Sequence, residues 1–307
     1  MQLARQLQKR PYLWFILPGF ILYTAFLIVP LGTAVYYSFF DWSGVGPMIP
    51  IGLDNYRKLF FDPRISRTVL HALGNNAKFL GCVLFIIMPL QLAMAYVIDA
   101  KVRAYRMFQM VIFLPYVISP AIIGFFSLLI FDPVLGILNN LFHAIGLGGL
   151  TGAWFGDPRL AFPLIVMMIA WQAIGSGMLI FLANMKQVPG EVIEASIIDG
   201  ARGGRRFFSV VLPYLSPSFT NNIVLGTIWA MTQFEIPYIV GGPQGGVGNS
   251  MDFMNLVFYR YAFSGSYGGE TAMGFASSIS VVLFLIILVV AAIQLRFLRR
   301  LDTGDEQ

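Results

Sequence analysis

The sequence predicts an all-α, polytopic membrane protein with six transmembrane helices. Of its 307 residues, 57% are hydrophobic and only 11% are charged, and the mean hydropathy is +0.74, far from the balance of a soluble domain. Six stretches supply the roughly 20 mainly apolar residues needed to cross a hydrocarbon core about 30 Å thick at about 1.5 Å of helix per residue. Those stretches are continuously apolar, whereas the strands of a transmembrane barrel alternate in polarity over about 10 residues.

In chain order the expected spans are residues 13–39, 79–98, 107–131, 162–185, 216–240 and 272–295. The basic pair Lys9 and Arg10 ahead of the first run resembles the start of a signal peptide. The run is longer than a signal core and no small-x-small site closes it, so a retained first helix is expected. An even number of spans places both termini on one side. Lys and Arg then set the orientation, because they concentrate in short cytoplasmic segments. One side carries Arg5, Lys9 and Arg10, then Lys101, Arg103 and Arg106, then Lys186, Arg202, Arg205 and Arg206, and finally Arg296, Arg299 and Arg300. The opposite side carries only Arg57, Lys58, Arg64, Arg67, Arg159 and Arg260, with Lys78 at the start of the second span. A multi-pass protein of the cell (inner) membrane with both termini cytoplasmic is the expectation. The net charge of +5 is explained by the same bias, so no nucleic-acid partner is expected.

Between the first and second spans, residues 40–78 form an outer segment punctuated by Asp41-Trp42-Ser43-Gly44 and Phe61-Asp62-Pro63. Ile65, Val69, Leu70 and Leu73 recur there at helical spacing, which suits a short helix at the membrane surface. Ile137, Leu138, Leu141, Phe142 and Ile145 repeat the pattern in the next outer segment, 132–159. Prolines punctuate most spans, and Gly175 and Gly177 flank Ser176 on a face suited to close approach.

Chemistry is sparse inside the spans. The lone cysteine, Cys82, excludes an internal disulfide or a thiolate metal cluster, and His71 and His143 lie too far apart for a metal pair, so no metal site is expected. Glu235 is the one acidic residue within a span, near its outer end. None of the five lysines follows a glycine, so no phosphate-binding G-x-x-x-x-G-K-[ST] loop is present and no cofactor is expected on this chain. Helices four and five do offer Trp171, Gln172, Ser176, Asn221, Asn222, Trp229, Thr232 and Gln233, polar and aromatic side chains that could line a solute site near the midplane.

The loop between spans four and five, residues 188–213, is the most specific segment. Pro189 starts a short helix, Glu191 and Glu194 sit near its positive end, and Gly200 suits a left-handed cap before a second short helix near Gly204. Val192, Ile193, Ala195, Ile197, Ile198 and Ala201 make an apolar surface too large for a free loop, which calls for a protein partner or the membrane face.

The run Glu194-Ala195-Ser196-x-x-Asp199-Gly200, followed by Leu212-Pro213, resembles the EAA signature of permease subunits in binding-protein-dependent ATP-binding-cassette importers. Gly52-Leu53-Asp54-Asn55-Tyr56, the run from Gly124 to Pro133 with Gly136 and Asn139, and Gly241-Gly242-Pro243 resemble the carbohydrate branch of that family. Pro30 with Ser38-Phe39 is similar to the maltose-transporter first permease and its relatives.

The resemblance implies a type I importer permease fold. Residues 71–296 would be the permease domain, 1–70 the N-terminus with the first helix and the start of the outer loop, and 297–307 a cytoplasmic tail. It implies two ATPase subunits that use ATP and Mg²⁺, a second, non-identical permease, and an extracytoplasmic solute-binding protein. Glu191, Glu194, Ala195, Ser196, Asp199, Gly200 and Arg205 would engage the ATPase, and no residue would be catalytic. Solute contacts of the maltose-type permease carry over to Ile169, Ala173, Ser176, Gly226 and Ala230. Only Ser176 of these keeps a polar side chain, which points to a solute, or a pose, other than maltose's. Trp171, Gln172, Ser176, Asn222, Gly226, Trp229 and Gln233 are the resulting candidate contacts for a carbohydrate. A disaccharide, a longer oligosaccharide, a sugar acid and glycerol phosphate all fit this reading. The rivals are an ion-coupled secondary transporter, which needs intramembrane charge relays, and a membrane-embedded enzyme, which needs a catalytic cluster. The spans supply almost none of the former and none of the latter.

Overall fold

The computed structural model describes residues 12–265 and 271–302. The N-terminal basic flank with Arg5, Lys9 and Arg10, and the end of the tail from residue 303, lie outside the described residues.

The chain is helical almost throughout. In order come α1 (Tyr12–Tyr23), α2 (Val29–Tyr37), a two-stranded hairpin of β1 (Phe40–Asp41) and β2 (Ile49–Pro50), α3 (Asp54–Phe61), α4 (Pro63–Cys82), α5 (Met88–Asp99), α6 (Tyr105–Val117), α7 (Pro120–Ile130) and α8 (Ile137–Ala144). There follow α9 (Pro158–Met185), α10 (Gly190–Ile198), α11 (Gly203–Arg206), α12 (Leu212–Tyr214), α13 (Ser216–Met231), α14 (Glu235–Gly241), α15 (Met254–Phe263) and α16 (Met273–Asp302). Among the described residues, five stretches are long and apolar enough to cross a membrane: Trp14–Tyr37, Pro63–Asp99, Pro158–Met185, Phe219–Gly241 and Met273–Leu298. The pair α6 and α7, bent by 96°, passes the same test together and brings the number to six when counted as one span.

The third span is therefore not the continuous helix expected over 107–131. Proline disfavours helical geometry in the residue before it, and Ser119, ahead of Pro120, is extended at ψ 138°, as is Ile118 at ψ 134°. The fifth span is likewise interrupted between Met231 and Glu235. The outer helix expected at 65–73 is not a separate surface element. It is the N-terminal part of a 37-residue helix that runs to Asp99. At about 1.5 Å per residue this helix is roughly 55 Å long, well beyond a 30 Å core, and no proline interrupts it between Pro63 and Pro89.

Among the described residues a π-helical turn occurs within the first two spans, at Thr24–Ile28 and Val83–Ile87, and a third lies ahead of the fifth span, at Phe207–Val211. Each turn is followed at the second residue by a proline, Pro30, Pro89 or Pro213. A proline ring collides with the carbonyl four residues back and offers no N–H to it, and a wider turn relieves both problems without breaking the helix.

The chain divides into two compact units, one from Met1–Ser66 and Phe258–Val282, the other from Arg67–Val257 and Leu283–Gln307. In the first, buried Asn55 donates from Nδ2 to the carbonyls of Ser38 and Phe40, both at 2.9 Å, and Ser38 Oγ lies 2.7 Å from the Tyr56 hydroxyl. The Gly52–Tyr56 motif thus ties α3 to the end of the first span. Gly274 N–H donates to the Trp42 carbonyl at 3.0 Å, which holds the start of α16 to the hairpin.

In the second unit α9 is central and packs along α5 and α6, while α14 packs on α7. One apolar cluster is built around Phe79, Ile123, Ile165, Ile169, Ala230 and Phe253. Another is built around Met88, Met178, Phe181, Phe207, Val211 and Leu215. The Gly124–Asn139 motif is also structural. Asp132 accepts from the backbone N–H groups of Leu135 and Val134, which holds its carboxyl below the usual carboxylate range. Asn139 donates to the carbonyls of Pro133 and Gly152 and accepts from Trp154 Nε1 at 2.8 Å.

Candidate functional site

A cavity of about 520 Å³ opens within the second unit. Three helical stripes wall it. α9 contributes Gln172, Ala173, Ser176, Gly177 and Ile180, and α13 contributes Asn222, Leu225, Gly226 and Trp229. Val83 and Ile87 of the π turn continue into Met88 and Gln91 of α5. Each set repeats at three to five residues, the spacing that keeps side chains on one face. The fourth wall is Tyr116 and Pro120, at the break between α6 and α7.

Polar groups in this wall are held by backbone carbonyls. Gln172 donates from Nε2 to the Ile118 carbonyl at 2.8 Å, an oxygen that the broken helix leaves without an intrahelical partner. Gln91 Nε2 and Ser176 Oγ both donate to the Ala173 carbonyl, at 3.0 and 2.9 Å. The Nδ2 of Asn222 is buried and has no partner among the described residues, an arrangement that costs free energy unless a ligand or water supplies an acceptor. Trp229 is half-buried, with its ring 5.4 Å from that of Phe79.

Glycines let this wall close up. A Cβ at Gly175 would stand 2.5 Å from the Ile112 carbonyl oxygen and 2.6 Å from Phe113 Cα, so α9 and α6 approach backbone to backbone. A Cβ at Gly177 would overlap the Gln91 carboxamide.

The loop after α9 builds a second site. Pro189 caps α10 in extended geometry, at ψ 138°. At the far end Gly200 is left-handed, at φ +74°. Its N–H donates to the Ile197 carbonyl at 3.0 Å, and the Ala201 N–H donates to the Ser196 carbonyl at 2.8 Å. This pair of bonds is a Schellman cap, so the expected helix, glycine stop and second helix are all present.

Glu191, Glu194, Ala195 and Ile198 are exposed, at the i, i+3, i+4, i+7 positions of one face. Asp199, Gly200 and Arg205 are also exposed. Val192, Ile193 and Ala201 turn inward instead, and Ile193 packs on the cluster of Phe207, Val211 and Met88. The free apolar surface is therefore smaller than the sequence suggested, consisting of Ala195, Ile197 and Ile198. Ser196 is buried and donates to its own helix, to the Ile193 carbonyl at 2.6 Å.

Residues 86–303 match the model of a family described as the binding-protein-dependent transport system inner membrane component. This chain belongs to that family. The permease is 33% identical over 302 residues, 97% of each chain, to the probable ABC transporter permease protein YurN of Bacillus subtilis (strain 168). It is 31% identical over 285 residues, 92% of each chain, to the probable starch degradation products transport system permease protein AmyD of Thermoanaerobacterium thermosulfurigenes. Its fold matches a chain of a bacterial ABC transporter involved in the import of the acidic polysaccharide alginate. The TM-score is 0.80 over 98% of this chain and 99% of that one, at 20% identity. It is a transmembrane permease subunit of an ATP-binding-cassette importer, and ATP hydrolysis resides in separate subunits.

Of the candidate solute contacts of the permease, Gln172, Ser176, Asn222, Gly226 and Trp229 meet at the cavity. Trp171 is exposed on another face of α9, and Gln233 is buried, donating to the Trp229 carbonyl at 3.1 Å. Ala173 lines the cavity too, whereas Ile169 and Ala230 belong to the apolar core. Glu235 begins α14 and is exposed. Two lining residues with polar side chains escaped the sequence reading, Gln91 and Tyr116. Gln91 is the one amide in the apolar run 79–98, and an isolated polar residue in a span is a usable pointer to a site.

Proposed function

We propose that this permease imports a carbohydrate handed over by an extracytoplasmic binding protein, and that the cavity between α5, α9 and α13 is this chain's share of the route. The observation that carries the reading is the wall itself, where carboxamides, a hydroxyl and an indole ring surround about 520 Å³. Amides and hydroxyls bond sugar hydroxyls, and an indole face stacks on a sugar ring. Gln172, Ser176, Asn222, Gly226 and Trp229 are the contacts assigned to this chain. The starch-product transporter subunit among the relatives agrees with a saccharide cargo.

In this reading a second, non-identical permease completes the cavity, and both termini are cytoplasmic. The exposed face of α10, with Glu191, Glu194 and Ala195, meets an ATPase subunit together with the exposed Asp199, Gly200 and Arg205 that follow it. ATP and Mg²⁺ act there, and this chain holds no cofactor. Closure of the two ATPase subunits moves α10 as a rigid lever. Ile193, Phe207 and Val211 pass the motion to Met88, which belongs to both their cluster and the cavity wall.

The test is Gly226→Phe in the complete transporter reconstituted in proteoliposomes. A benzyl group at this position fills the cavity beside Val83, whose Cγ1 lies 3.3 Å from a Cβ built on Gly226. Loss of uptake by a variant that still co-purifies with its partner subunits supports the route. Unchanged uptake contradicts it.

A further inference from the structure

We infer that the cargo is an uncharged polyhydroxy saccharide, and that Gln91 helps to set this selectivity; the inference rests on the cavity being the solute route. It follows from which hydrogen-bonding groups the wall has already used.

Gln91 and Gln172 both donate through Nε2 to a backbone carbonyl. A carbonyl can only accept, so each amide is fixed with its nitrogen toward the backbone. Each Oε1 is then left without a protein partner among the described residues. Ser176 spends its single hydrogen on the Ala173 carbonyl and keeps its lone pairs. Three of the polar side chains in the wall therefore present acceptors. Each carboxamide retains one further N–H, and the wall also holds the Tyr116 hydroxyl and the Trp229 indole, enough for the lone pairs of a hydroxyl.

An ionised phosphate, sulfonate or carboxylate has no hydrogen to give, so it meets these acceptors as repulsion. It also needs compensating charge when it leaves water. Among the described residues of this chain, no Lys, Arg, His, Asp or Glu lines the cavity. A sugar hydroxyl, by contrast, donates to one oxygen and accepts from a neighbouring N–H. Gly177 fits this assignment, because a side chain there would push the Gln91 carboxamide from its place. Sugar acids and glycerol phosphate, both compatible with the sequence, find no counter-charge on this chain's share of the wall.

The test uses cells that lack intracellular catabolism of the imported solutes, with and without the complete transporter. They are given a pool of starch and chitin hydrolysates, pectin-derived oligouronates and glycerol 3-phosphate, and the accumulated solutes are identified by mass spectrometry. The expected result is transporter-dependent accumulation of a neutral saccharide only. Gln91→Met, which removes Oε1 at similar volume, should lower that accumulation about 10-fold, the worth of one hydrogen bond. Asn222→Leu, a second variant on a different helix, should lower it similarly while the complex still co-purifies. Transporter-dependent accumulation of an oligouronate or glycerol 3-phosphate overturns the proposal but leaves the import reading intact. So does a neutral saccharide whose uptake neither variant lowers. Accumulation of a neutral saccharide that survives Gly226→Phe overturns the route instead.

Discussion

The loop carrying α10 and the cavity walled by α5, α9 and α13 lie in the same compact unit but are assembled in different ways. The loop is made of consecutive residues: Pro189 opens the helix, Gly200 ends it, and the exposed face between them comes from one stretch of nine residues. The cavity is made of residues that are far apart in the chain, Gln91, Tyr116, Ser176 and Asn222 among them. Each wall is only one stripe of a helix whose other faces serve packing or lie exposed. A local site of the first kind is robust to its surroundings and sensitive to its own backbone. A convergent site of the second kind depends on how closely the helices approach.

That contrast is broken most severely at the loop. Glu194→Lys reverses the charge on the exposed face of α10, and uptake should fall about 100-fold, equivalent to about 2.7 kcal/mol of coupling. Uptake and ATP hydrolysis measured together in proteoliposomes check this, since hydrolysis should persist. Gly200→Val should act in the same direction, because a β-branched residue at φ +74° is strained by about 1–3 kcal/mol. Next comes the helix approach behind the cavity. Gly175→Val drives side-chain atoms into the backbone of α6 and should destabilise the protein by about 1–3 kcal/mol, read as a lower Tm of the purified complex. Gln172→Leu leaves the Ile118 carbonyl without its donor, a loss of about 1–3 kcal/mol where the site is dry, and should lower both Tm and uptake. The smallest effect sharpens the comparison. Ser196→Ala removes a bond made within α10, so uptake should stay within about twofold and stability within about 1 kcal/mol.

The same contrast explains what the sequence made legible. The apolar runs and the cap of α10 depend on adjacent residues, and each is present close to where the pattern put it. The break at Pro120 was marked by proline, but hydropathy averages over such a break and the run reads as one span. The helix from Pro63 to Asp99 has the opposite problem: its outer half is too polar to register as part of a span. In the cavity, Gln172, Ser176, Asn222, Gly226 and Trp229 were legible as polar, small or aromatic residues on two helices. Trp171, directly beside Gln172, was not separable from it without knowing which face of α9 turns inward. Gln91 stood out as the one amide in its apolar run, but its partner, the Ala173 carbonyl on another helix, is a pairing that no local pattern encodes.

The central claim is that ATP-driven movement of α10 changes access to the cavity. Ser176→Cys in a Cys82→Ala background places a single thiol on the cavity wall. The complete transporter, with its binding protein, is then treated from outside with a membrane-impermeant maleimide. Trapping the ATPase subunits with ATP and vanadate should raise the alkylation rate at least about 10-fold over the nucleotide-free state, as expected when the cavity turns outward. Equal rates in the two states would contradict the account.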